Sequence, residues 1–195
     1  MRGVPLPVSD RHPSFSSVSF FHMRTVNLAG RMLRAARLDA GLYSEVKADE
    51  GAMGQAALVV VISSVAAGLG SFGRGGAAIL VGTAMALLGW FIWSLLVFVI
   101  GAKVLPEPQT ASSFPALLRA AGFATAPGAI RVFGLLPGIA GLVFLIAALW
   151  MIAAMIIAVR QALGYKSTWR AAAVSMLGWI LQVLVTGALM YASGI

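Results

Sequence analysis

The sequence predicts an all-α, polytopic integral membrane bundle of five transmembrane helices with a kinked third helix, and three observations carry that reading. Of the 195 residues, 60% are apolar and 10% charged, with a mean hydropathy of +0.94, far from the balance of an ordinary soluble domain. Apolar runs of membrane length recur at 52–69, 77–100, 139–159 and 169–191, each near the ~20 residues that a helix needs to cross. The basic residues divide unevenly as well. Five spans with the N-terminus inside leave only Arg74 and Arg131, of 14 Lys and Arg, on the outside. Were 115–135 re-entrant, Arg131 would move inside and Arg160, Lys166 and Arg170 outside, against the positive-inside pattern of short loops.

Residues 1–23, rich in Ser, Pro and Phe, have neither the apolar core nor the cleavage site of a signal peptide. They read as a disordered tail, with Met23 an alternative translation start. Residues 24–50 form a basic amphipathic interfacial segment. Leu28, Met32, Ala35 and Ala36 share one helical face and Arg31, Arg34 and Arg37 the other, an arrangement suited to anionic lipid headgroups or to a solvated topology determinant. Asp49 and Glu50 stand where acids favour the start of the next helix.

Residues 51–195 form the membrane domain. In the first span, Ser64 and Gly68 make a seat for a neighbour. The Gly68-Leu69-Gly70-Ser71-Phe72-Gly73 junction matches a dinucleotide-binding glycine pattern in form only, because no strand precedes it and no acid follows at the distance a ribose needs. It reads as a turn between spans. In the second span, Gly82, Ala86 and Gly89 form a narrow seam, and Trp90 and Trp93 lie mid-span, which suits bundle packing rather than an interfacial belt.

The third span, Pro115–Leu135, follows Ser112-Ser113, with Pro115 in the tolerated first turn. Pro127 falls inside it, where its ring opposes the carbonyl of Phe123 and predicts a kink, with Thr125 as a local donor. Small residues around the kink let other helices approach the backbone. Arg119 and Arg131, near opposite ends, are expected to snorkel. Leu136-Pro137-Gly138 reverses the chain into the fourth span, closed by Arg160. Trp169 and Tyr191 mark the two interfaces of the fifth, and Gln182 sits mid-span, needing a partner such as a backbone carbonyl.

The chemical inventory is narrow. There is no cysteine, both histidines lie in the tail, and Glu107 is the only carboxylate side chain after Glu50. Catalytic, metal and cofactor sites are therefore not expected in the membrane domain, and Ser63 and Ser64 have no histidine or span-embedded lysine to activate them.

The run Leu118-Arg119-Ala120-Ala121-Gly122-Phe123-Ala124-Thr125-Ala126-Pro127, with Trp150 and Ala158-Val159-Arg160-Gln161-Ala162-Leu163, resembles the Ypt-interacting-protein (Yip) family in its bacterial form, over roughly Ala48 to the C-terminus. The pattern rests on Arg119, Gly122, Phe123, Ala124 and Pro127. The resemblance implies a five-helix membrane domain with a cytosolic N-terminus, here in a bacterial inner membrane with the C-terminus on the opposite side. Eukaryotic members are associated with Rab-type GTPases, vesicle traffic and membrane shaping. This chain lacks their Asp-Leu-Tyr-Gly-Pro motif, of which Leu42-Tyr43-Ser44 is a faint echo, so a Rab-type partner is not carried over. The expected function is a non-enzymatic scaffold or organiser, with anionic lipid headgroups and other membrane proteins as partners and no nucleic acid. The alternative is a transporter or channel for a neutral or anionic solute, since broken helices recur at transport sites.

Overall fold

The computed structural model describes residues 28–71, 75–110 and 112–192. The expected tail, 1–23, lies outside them, as do Arg24 and Arg74. Regular structure among the described residues is helical throughout. α1 (Leu28–Ala36) and α2 (Ala40–Ala48) lead through a 3-10 turn (Glu50–Ala52) into α3 (Met53–Gly70), and α4 (Gly76–Val99) ends in a π-helical turn (Ile100–Val104). α5 (Phe114–Phe123) is followed by a 3-10 helix (Ala126–Leu135), then α6 (Ala140–Leu163) and α7 (Thr168–Ala192). Four stretches are long and apolar enough to cross a membrane: Glu50–Gly70, Gly76–Val104, Ala140–Leu163 and Thr168–Ala188.

The stretch expected to be a kinked third helix is instead two helices of different type. α5 begins as anticipated, with the Ser113 side chain accepting from Ala116 N and proline in the first turn. It ends before Pro127, which has no N–H to give and whose ring excludes the carbonyl four residues back. The chain tightens to bonds three residues apart, with Gly128 N donating to Thr125 O at 2.8 Å, and continues as 3-10 helix. Thr125 Oγ1 donates to Gly122 O at 2.7 Å, covering one carbonyl at the change of type.

This broken segment follows α3 along its length and in the same direction. A Cβ on Gly122 would stand 2.8 Å from Ala56 Cβ, one on Gly128 2.0 Å from Ser63 Oγ, and one on Gly134 2.6 Å from Gly70 O. Glycine at these positions lets the two backbones meet. α6 covers the other flank through Phe144 and Met151. Leu117, Ala120, Ala121, Phe123 and Ala124 are fully buried, whereas Leu80, Val81, Leu142, Leu149 and Val183 face outward, as suits helices surrounded by lipid.

Helix ends follow local chemistry. Gly164 closes α6 in the left-handed region (φ +73°), with Tyr165 N donating to Arg160 O. The Tyr165 hydroxyl reaches Gly101 O at 2.7 Å and Leu105 O at 2.9 Å, tying the α6–α7 turn to the π-helical end of α4. α1 stops at Leu38, a leucine at φ +61°, a conformation that costs a non-glycine residue roughly 1–2 kcal/mol. Leu38 packs against the core, and Asp39 next to it caps α2 by accepting from Gly41 N.

α1 and α2 form a cap seated on the bundle. Leu42, Tyr43 and Val46 are fully buried, the Tyr43 hydroxyl donates to Ala35 O, and Trp150 Nε1 on α6 donates to Ala36 O at 2.7 Å. Lys47 Nζ reaches Gln161 O at 3.3 Å.

Candidate functional site

Two polar centres stand out in this apolar fold. The first joins the cap to the start of α3. Arg31 is 7% exposed and binds Glu45 Oε1 and Asp49 Oδ2, each at 2.8 Å, and Gln55 Oε1 at 2.9 Å. Arg34 binds Asp39 Oδ2 at 2.7 Å and Glu45 Oε2 at 2.6 Å. The common basic face expected for Arg31, Arg34 and Arg37 is therefore not formed. Arg31 turns inward on the same side as Ala35, because acids of α2 and the α2–α3 junction neutralise it there, Arg34 is half-buried, and Arg37 is exposed. Burial pushes the Glu45 carboxyl up, but hydrogen bonds from Arg34 and Arg31 outweigh it and hold Glu45 below the usual carboxylate range. The Arg34 hydrogen bond likewise lowers Asp39.

Arg119 completes this centre from α5. It does not snorkel: at 6% exposed it donates from Nε to Val46 O at 2.9 Å and from Nη2 to Lys47 O. A cation thus holds the last carbonyls of α2, where the helix dipole favours it. The other motif residues are buried packing positions. Gly122 lies on Ala56, Phe123 and Ala124 are fully buried, and Pro127 starts the 3-10 helix in the core.

The second centre is a cavity of about 340 Å³ between α3, α4, α6, α7 and the 3-10 segment. Ser63, Ser64, Thr125, Arg131 and Gln182 give it polar walls, and three tryptophans, Trp90, Trp93 and Trp179, give it apolar ones. Gln182 has the kind of partner expected, donating from Nε2 to Gly89 O at 3.3 Å. Trp90 Nε1 donates to Leu118 O. Gly128 lets Ser63 and Met151 approach the 3-10 backbone.

Arg131 does not snorkel either. Its Nη2 lies 2.8 Å from Met151 Sδ, its guanidinium 5.9 Å from the Phe144 ring centre, and its Nε is buried without a partner. A second cavity of about 300 Å³, toward the α3–α4 turn, shares Ser64, Ala86 and Arg131 with the first. The placement of Arg131 between the two was not read from the sequence, although one signal was available: no acid in the membrane domain other than Glu107 could pair with it. Glu107 is engaged elsewhere, accepting from Lys166 N at 3.0 Å and lying near Arg170.

Comparison with protein-family models, curated proteins and solved structures gives no match.

Proposed function

We propose that this chain is a non-enzymatic, multi-pass membrane protein of the Yip kind, acting as a scaffold or organiser of membrane proteins or lipids, with its cap on the cytoplasmic side of a bacterial inner membrane. The observation that carries the reading is where the motif residues lie. Arg119, Gly122, Phe123, Ala124 and Pro127 are all withdrawn into the core, where they fasten α5 and the 3-10 helix to α3 and hold the cap in place. A motif used in this way builds a rigid platform rather than a reaction centre.

The same reading takes the broken segment as a fifth crossing. Its support is the run of contacts from Gly122 beside Ala56 to Gly134 beside Gly70, which matches about 21 Å of helix rise in α3. A 3-10 helix rises ~2.0 Å per residue against ~1.5 Å in an α-helix, so ten residues of each reach about 35 Å if collinear. Single cysteines at Ser71, Gln109, Leu136 and Lys166 test the topology with an impermeant thiol reagent. Labelling of Ser71 and Leu136 from one side and of Gln109 and Lys166 from the other is expected, and Leu136 on the side of Gln109, with Lys166 on the side of Ser71, would overturn five crossings.

Function is tested by purification in native lipid with mass spectrometry of bound proteins and lipids, comparing the wild type with Arg119→Gln, which releases α2. Loss of specific partners at preserved folding is expected. Transport is the second reading, favoured by the cavity, and saturable solute flux in proteoliposomes would replace the scaffold reading with it.

A further inference from the structure

We propose that the cavity at Arg131 is a binding site for an anionic amphiphile, a molecule with a carboxylate or phosphate head and an apolar body, the head on the Arg131 guanidinium and the body among Trp90, Trp93 and Trp179. This goes beyond the scaffold reading and rests on none of its parts.

The argument begins with charge. Arginine keeps its proton in proteins, and Arg131, half-buried without a counter-ion, carries an uncompensated desolvation cost. Among the described residues no carboxylate lies within ion-pairing distance of Arg131. The nearest groups are a thioether and an aromatic face, both weak substitutes for an anion. A guanidinium in this position is complementary to a planar carboxylate or a phosphate oxygen pair.

The surroundings add donors. Trp93, 3% exposed, lines the cavity, and its Nε1, like Arg131 Nε, is buried without a protein acceptor. The Ser63 and Ser64 hydroxyls border the same space. Arg131 therefore supplies the charge, Ser63 a neutral donor, and the apolar part of the wall is mainly aromatic and thioether, through the tryptophans, Met151 and Met155. That combination selects a head with lone pairs joined to an apolar body over a small hydrated ion. The volume of about 340 Å³ lies at the lower end of the range for small-ligand pockets, enough for the head and the first part of a chain, and the adjoining 300 Å³ space extends it toward the α3–α4 turn.

The test uses the full chain in a neutral sugar detergent. Three of its five tryptophans line the cavity, so a bromine-labelled fatty acid bound there should quench fluorescence saturably, while its methyl ester should not. Arg131→Gln should weaken the acid's affinity about tenfold or more, as expected for loss of a charge-assisted pair. Arg131→Lys should recover part of it, and Arg37→Gln, on the exposed cap, should change nothing. Competition separates the sources. Displacement by phosphatidylglycerol micelles and not by inorganic phosphate marks a lipid head, and displacement by millimolar phosphate alone marks a free anion and overturns the amphiphile. Equal quenching by acid and ester, or unchanged affinity in Arg131→Gln, also overturns the proposal. If Arg131→Gln fails to fold, wild-type thermal shifts decide: stabilisation by the acid beyond the ester supports the site, and equal shifts reject it.

Discussion

Arg31 is buried and Arg131 half-buried, and their surroundings are opposite. Arg31 meets two carboxylates and an amide oxygen within 3 Å, whereas Arg131 meets a sulfur, a ring and a cavity. A buried cation with its anions supplied by its own chain is part of the architecture, and removing it strands charges. A half-buried cation without them holds positive potential that an outside molecule can answer. The difference also separates the two ends of the molecule: the cap is internally neutralised, and the far end of the 3-10 segment is not.

The largest effect follows from that contrast. Arg31→Met leaves Glu45 and Asp49 without their buried partner and should cost about 3 kcal/mol, the lower end for breaking such a pair because both acids are about a third exposed. Arg131→Met in ligand-free detergent should be neutral or stabilising, since it removes an uncompensated charge. Melting temperatures of the two purified variants check this, and equal losses would break the comparison. Gly128→Ala comes next, at about 2 kcal/mol by overpacking, because the added methyl meets Ser63 Oγ and Met151 Sδ. It should also narrow the cavity and weaken fatty-acid quenching.

Acid sharpens the comparison from the other side. Asp39 and Glu45 are held below the usual carboxylate range, Asp39 by its Arg34 hydrogen bond and Glu45 by Arg34 and Arg31 against the opposing effect of burial. Their stabilisation is complete above the unfolded values near ~4 and fades as pH falls through the folded ones. Hydrogen exchange in 28–48 should therefore rise below about pH 4, ahead of the bundle. Trp150→Phe removes the bond to Ala36 O and should cost about 1 kcal/mol, read as faster exchange in α1. Arg37→Gln should stay within about 0.5 kcal/mol by thermal melting.

Four of the apolar spans were legible as runs of membrane length, and their ends agree with the structure to within a few residues, because the side chains facing lipid are uniformly apolar. The Ser113 start of α5 and the carbonyl partner of Gln182 were legible for a similar reason: each rests on one local hydrogen-bonding need. The helix type at 126–135 was not. Pro127 announced a disturbance, and a kink and a change of type begin alike. The distinguishing signal was the spacing of Gly128 and Gly134, six residues apart, which is two full turns of a 3-10 helix and puts both on one stripe. In an α-helix the same spacing would turn them to different faces. Arg31 was misread because a helical wheel sees only its own helix, and the acids that draw Arg31 inward come 14 and 18 residues later.

The fastening of α3 to the segment beside it has a consequence for the surrounding lipid. The 18 residues of α3 rise about 27 Å, while the 24 of α4 and of α6 rise about 36 Å. Joined to its neighbour at Gly122, Gly128 and Gly134, the short helix cannot lean or slide alone to suit a different bilayer. Longer helices can share its depth only by tilting, and a bilayer thicker than α3 costs fractions of a kcal/mol per Å of mismatch. The chain is therefore expected to melt at higher temperature in bilayers of shorter-chain lipid than in thicker ones.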